Sequence, residues 1–290
     1  MSAATGLELY TATARAASAR VIGAYSTSFG LASRLLPRRV RGHIADIYAL
    51  VRVADEVVDG PASEAGVTAG ETLELVDALE HDTLRALRTG FSANLVVHAF
   101  AVTARRTGID EALVRPFFAS MRTDARGERA FDDAAYRAYI YGSAEVVGSM
   151  CLRAFAQEGR GIAIDAQLDE GARKLGAAFQ KVNFLRDLAD DCDRLGRTYL
   201  PGIDPARFTD ADKDAVVDDI DADLAVARRA IDRLPPASRR ATAAAWGLFA
   251  RLNRILAETP AAEVRRSRAS VPPAEKARIL ALAAAGRVSA

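Results

Sequence analysis

The chain has 290 residues, half of them apolar, with 39 basic against 38 acidic side chains and a net charge of +1. That length and apolar content suffice for a substantial buried core, and the near-neutral balance leaves no global field for nucleic acid or an anionic membrane, so a phosphate or metal site must be a local concentration of charge. Two cysteines, Cys151 and Cys192, and three histidines exclude a disulfide framework and a Cys/His zinc centre.

The N-terminus, Met1 to Gly6, lacks a basic segment followed by a long apolar run, so no signal peptide is expected. The longest apolar stretches, such as Leu95 to Ala101, are too short to span a bilayer. A cytoplasmic location is expected. The period is helical throughout, and β-branched alternation is scarce. There is no GxGxxG, no GxxxxGK[ST] and no fixed repeat.

Breakers divide the chain into roughly ten to twelve helices joined by short loops, with residues 1–290 read as one domain. Leu36-Pro37 fits a helix start, and Gly60-Pro61 stops that helix. Gly70, Gly90, Gly108 and Gly127 punctuate the next stretch, and the span from Gly60 to Gly70 is the expected loose connection. Leu200-Pro201-Gly202 ends another helix, Leu234-Pro235-Pro236 separates two, and Val271-Pro272-Pro273 opens the last.

On the helix after Pro37, Ile44, Tyr48, Val51, Asp55 and Asp59 are spaced 4, 3, 4 and 4 apart and share one face. The apolar members face the core, which carries the two aspartates to an inward edge, with Arg52 one position round. Inward carboxylates one turn apart repel and lose hydration, and a hard divalent cation removes both penalties. The alternative is a solvated helix end before Gly60.

Between Leu175 and Asp193, a wheel at 3.6 residues per turn gathers Gln180, Asn183, Asp187, Asp190 and Asp191 into one arc, with Arg186 at its edge. Most other positions are apolar, Lys181 being the main exception. A helix apolar nearly all round is buried, and its polar stripe then needs a wet cavity or a bound ion. The alternative is an ordinary amphipathic surface helix. Facing each other, the two motifs would form a cage of carboxylates and guanidiniums. Carboxylates hold Mg²⁺, the metal holds diphosphate, and arginine takes the outer phosphate oxygens. A further stripe, Met121, Tyr139, Val146, Val147 and Met150, fits either plain core or the wall of an apolar pocket.

YSTSFGLASRLLP (25–37), YALVRVADEVVD (48–59), YIYGSAEVVG (139–148), QKVNFLRDLADD (180–191) and GRTYLP (196–201) together resemble the squalene/phytoene synthases, over roughly residues 20 to 280. The resemblance implies an all-α isoprenoid-synthase fold, helices around a deep central apolar cavity. It implies Asp55, Asp59, Asp187 and Asp191 as ligands for Mg²⁺, with Mn²⁺ as a substitute. Arg52, Gln180, Asn183, Arg186, Arg197 and Tyr199 would bind diphosphate or its metal shell, Tyr48 and Tyr139 would lie near the reacting carbons, and Tyr48, Arg52 and Tyr139 are the implied catalytic residues.

The implied reaction condenses two geranylgeranyl diphosphates head to head through a cyclopropyl diphosphate to phytoene, without NADPH. Squalene or dehydrosqualene formation from farnesyl diphosphate is the alternative, and a non-catalytic assembly factor is a third. The implied partners are prenyl diphosphates, with no nucleic acid, no obligate protein partner, and peripheral contact with the inner face of the membrane as a hypothesis. Tyr25 stands where relatives have histidine, Thr27 where a basic residue is common, Phe249 where tyrosine is frequent, and Glu145 where a small residue is usual. The run Arg265, Arg266 and Arg268 is a candidate compensating phosphate contact, or a solvated face.

Overall fold

The computed structural model describes residues 5–26, 28–127, 131–159, 161–188 and 199–287. Helices α1 (Gly6–Tyr25), α2 (Ser28–Ser33), α3 (Arg38–Asp59), α4 (Pro61–Glu64), α5 (Ala69–Thr89), α6 (Leu95–Thr107) and α7 (Glu111–Ala125) form the first half. Next come α8 (Asp133–Ile140), a π-helical segment (Tyr141–Glu145), α9 (Val146–Phe155) and α10 (Ala166–Arg186). After a 3₁₀ turn (Pro205–Arg207), α11 (Asp210–Ile231), α12 (Pro236–Glu258), α13 (Ala261–Val264) and α14 (Pro273–Ala284) complete the chain. No strand occurs among the described residues. Among the described residues, setting aside the three helices of four to six residues, eleven of ordinary length remain.

Most boundaries have a local cause. Gly60 ends α3 with φ 157°, and Pro61 opens α4 at its first position. Gly90 and Gly108 close α5 and α6 in the left-handed conformation, which only glycine adopts without strain. Pro236 and Pro273 start α12 and α14. Gly70 does not break the chain. It lies inside α5, because Thr68 and Glu71 form a capping box that starts the helix at Ala69. Pro201-Gly202 form a turn, and the helix expected before them falls on residues outside the described set.

Helix α3 runs through the interior. One face packs with α1 and α6, where buried His43 and Asp46 share the Thr103 hydroxyl at 2.8 and 2.6 Å. Two neighbouring runs, 133–155 and 166–186, approach almost backbone to backbone. A Cβ on Gly148 would stand 2.2 Å from the Ala172 carbonyl oxygen, and one on Gly176 2.3 Å from that of Ala144. Helix α10 also packs closely on α11. There Lys181 is buried, its ammonium donating to Asp219 at 2.5 Å and Asp223 at 2.7 Å, and Lys174 reaches the same Asp223 at 2.8 Å, so the cation within the apolar stretch is paired.

Candidate active site

A cavity of about 300 Å³ lies between α2, α3, the π segment, α9, α10, α11 and α12. Helix α10 lines it with Leu168, Gly171, Ala172, Leu175, Gly176, Phe179, Gln180 and Asn183, the 3.6-residue stripe of one buried face. Helix α3 contributes Ile44, Ile47, Tyr48 and Val51. The two helices that carry the acidic motifs therefore share one apolar chamber. At its α3–α10 end the wall turns polar with Tyr48, Gln180 and Asn183. Of the central stripe, only Val147 lines the cavity; Met121, Val146 and Met150 are buried in the core around α3 and α7.

Asp55 and Asp59 continue the stripe one and two turns beyond Val51, both half-buried. Burial holds the Asp55 carboxyl well above the usual carboxylate range, and the negative charge of Asp59 pushes it further in the same direction. Arg52 opposes this, while Asp124 and Glu56 add to it. Arg52 pairs with Glu56 one turn on and lies 4.6 Å over the ring of Tyr25, a cation–π contact. Its Nε is buried and without a hydrogen-bond partner. The Tyr48 phenol is also raised, by burial first.

The second motif departs from the expected single arc. Helix α10 ends at Arg186, and Asp187 is its C-cap, bonded through its N–H to the Asn183 carbonyl at 2.8 Å. A carboxylate at a helix C-terminus opposes the dipole, and two arginines offset it. Arg186 grips Asp187 with Nε at 2.9 Å and with Nη2, and Arg268 Nε reaches Asp187 Oδ1 at 2.7 Å. Burial would raise the Asp187 carboxyl, but these hydrogen bonds prevail and hold it below its ordinary value. Of the basic run 265–268, Arg268 thus reaches the second motif. Asp190, Asp191, Cys192, Arg197 and Thr27 lie outside the described residues.

Tyr139 is not in the cavity wall. It is buried against Phe131, Phe184 and Tyr199, because Gly142 lets the following π segment press onto α7. A Cβ on Gly142 would sit 2.2 Å from the Pro116 carbonyl oxygen. The Tyr139 hydroxyl donates to Asp124 Oδ2 at 2.7 Å and that of Tyr199 to Asp124 Oδ1 at 3.1 Å. Asp124, 5 % exposed, thus holds both phenols, and its negative charge is near enough to push the Asp55 carboxyl up. The sequence reading missed it, although Asp124 continues the inward stripe of Phe117, Ser120 and Met121 on α7.

The departures also find partners. Phe249 stacks on Phe179 at 3.8 Å in the cavity wall, and Glu145 lies 3.7 Å from Arg173. Among the described residues, no three His, Cys, Asp or Glu side chains converge on a metal position. The donor set of the first motif nevertheless suits a hard divalent cation. Asp55 and Asp59 offer oxygen ligands, and their mutual repulsion and desolvation are the penalties that such an ion relieves.

The family model for squalene/phytoene synthase matches residues 22–275. A 15-cis-phytoene synthase from Paracoccus sp. is 36% identical over 182 residues, 61% of this chain and 56% of that protein. A phytoene synthase from Mycobacterium bovis is 30% identical over 279 residues, 88% of this chain and 85% of that protein. Among solved structures, a dehydrosqualene synthase superposes with a TM-score of 0.79 at 21% identity, covering 96% of this chain and 98% of its own. The squalene synthase HpnC from Alicyclobacillus acidocaldarius gives 0.71 at 21%, covering 89% and 95%. These neighbours share the all-helical isoprenoid-synthase fold, and by the family model that spans most of its length the chain belongs to the squalene/phytoene synthase family.

Proposed function

We propose that the chain is a single-domain, Mg²⁺-dependent prenyl transferase that condenses two geranylgeranyl diphosphates head to head to phytoene. One observation carries the reading: the helices bearing both acidic motifs wall one long apolar cavity whose polar end lies beside them. From Leu168 to Asn183 the lining of α10 covers sixteen residues, about 22 Å at the helical rise. An apolar wall of that length accommodates a long prenyl chain, and the phytoene synthases among the relatives favour the C20 substrate over C15.

Asp55 and Asp59 would hold Mg²⁺ from the first motif and Asp187 and Asp191 from the second. The bound metal would supply Lewis-acid stabilisation of the departing diphosphate. Arg52 and Arg186 are engaged by Glu56 and Asp187 and would exchange those partners for phosphate oxygens, which a guanidinium binds bidentately. Gln180 and Asn183 present amides at the polar end of the cavity and would orient the diphosphate or its metal shell, with Arg197 assisting, whereas Tyr199, expected to join them, is buried off the cavity wall with its hydroxyl on Asp124.

When the first C–O bond breaks, its electron pair leaves with diphosphate and an allylic cation remains. The double bond of the second substrate attacks that cation, and loss of a proton closes the cyclopropane. A second ionisation, rearrangement and proton loss give the triene, with no external reductant. Through these steps the apolar wall would exclude water, and the faces of Tyr48, Phe179 and Phe249 would stabilise positive charge. Asp124 would position Tyr139 through its phenol.

The test is a product assay with C20 and C15 diphosphates in parallel, with Mg²⁺, with and without NADPH. Phytoene and pyrophosphate from the C20 substrate, independent of NADPH, are expected. A product from the C15 substrate alone would shift the assignment to squalene or dehydrosqualene formation, and no turnover with either would favour a non-catalytic binding role.

A further inference from the structure

Charge is balanced over the chain but not along it. Between Glu8 and Asp46 lie six arginines and no acidic residue. Four of them, Arg34, Arg38, Arg39 and Arg41, are exposed within eight residues. Among the described residues none of the four forms an ion pair or a side-chain hydrogen bond. The last three open α3, whose first turn holds no acidic residue and no side-chain cap. The helix dipole therefore adds to the positive potential there instead of offsetting it.

Leu31 stands 39 % exposed in the same stretch. Its near neighbours Ala32, Ser33 and Leu36 line the cavity. At this place the wall between solvent and the apolar chamber is one short segment, with leucine and arginine outside and the cavity inside.

We propose that Leu31 with Arg34, Arg38, Arg39 and Arg41 forms a docking face for an anionic phospholipid bilayer. Guanidiniums take lipid phosphates bidentately, and an exposed leucine beside them enters the acyl boundary. An acidic protein would match the charge, but it would not account for an apolar side chain backed by an apolar chamber. Docking in this orientation sets the thin wall against the lipid, where a long hydrocarbon leaves the cavity without crossing water. The docking stands on charge and exposure; its purpose rests on the prenyl-transfer reading.

The experiment is flotation of the full chain with vesicles of phosphatidylcholine alone and of phosphatidylcholine with about one-third phosphatidylglycerol, without substrate, at low and high salt. Binding to the anionic vesicles only, released by salt, is expected. Each arginine neutralised lowers the partition coefficient about fivefold, and R34Q/R38Q/R39Q/R41Q more than about a hundredfold. Leu31→Asp lowers it about tenfold. Both variants keep their helix content and their turnover of detergent-dispersed substrate, so loss of docking and loss of activity are read separately.

A wild-type chain that ignores anionic vesicles, or a quadruple variant that floats like wild type, overturns the proposal. Capture on polyglutamate as tight as on anionic vesicles, with Leu31→Asp floating normally, would assign the face to an acidic protein and overturn it as well.

Discussion

The two acidic motifs lie beside one cavity but are in opposite electrostatic states. Asp55 and Asp59 sit on a continuous helix, where burial and mutual repulsion hold the Asp55 carboxyl far above its ordinary value. Asp187 lies just past the end of its helix, where Arg186 and Arg268 hold it below. The first site is short of positive charge and the second already has it. On the proposed reading a metal would gain more at the first motif, and Arg186 and Arg268 would leave Asp187 for phosphate oxygens when the diphosphate binds.

The largest effect that could break this contrast is at Asp55. Asp55→Asn should lower turnover by at least about a thousandfold, since removing a metal ligand removes transition-state stabilisation of several kcal/mol. Its melting temperature without metal should be unchanged or higher, because a repelled, desolvated charge is gone. A variant retaining more than a tenth of wild-type turnover would contradict the metal role.

The same contrast predicts opposite pH behaviour. A carboxyl raised in the folded state costs stability above its unfolded pKa of about 4, and Asp55 relieves that cost by taking up a proton as pH falls. The rise in melting temperature on adding Mg²⁺ should therefore shrink as pH is lowered from neutral, and Asp55→Asn should flatten the dependence. Asp187, lowered in the folded state, contributes stability above about pH 4 that is lost as pH falls through its folded pKa. Arg268→Gln should raise that lower limit. If it leaves the acid limb of the unfolding profile where it was, the Arg268 contact is not holding Asp187.

A smaller effect concerns the buried carboxylate that holds Tyr139 and Tyr199. Asp124→Ala leaves the Tyr139 and Tyr199 hydroxyls without their acceptor, and should cost about 2–6 kcal/mol in denaturant unfolding, at roughly 1–3 per orphaned buried group. Asp124→Asn keeps an acceptor and should recover most of that. The smallest effect is at Tyr25, half exposed under Arg52. Tyr25→Leu should raise KM by about two- to fivefold with kcat nearly unchanged, the value of an exposed cation–π contact.

Much of this was legible in the sequence because it is local. The stripe Ile44, Tyr48, Val51 runs along one helix, and so do Gln180 and Asn183; all but the acids at their ends line the cavity as the wheel places them. Gly60, Gly90 and Pro236 end or start helices for backbone reasons that need no tertiary partner. What stayed hidden is relational. Asp124 joins residues 15 and 75 positions away, and no spacing rule connects them. Whether Met150 or Val147 met the cavity depended on how closely Gly148 and Gly176 let two backbones approach, which periodicity does not encode. The wheel also ran on past Arg186, because the arginines that stabilise Asp187 beyond the helix end include one 81 residues away.

The most direct test of two motifs acting as one site is calorimetric titration of Mg²⁺ with pyrophosphate into wild type, Asp55→Asn, Asp187→Asn and the double variant. A shared site predicts strong coupling, with the double variant losing little more affinity than the worse single variant. Losses that simply add, or affinity unchanged in either single variant, would mean that the two acidic edges beside the cavity do not grip the same ligand.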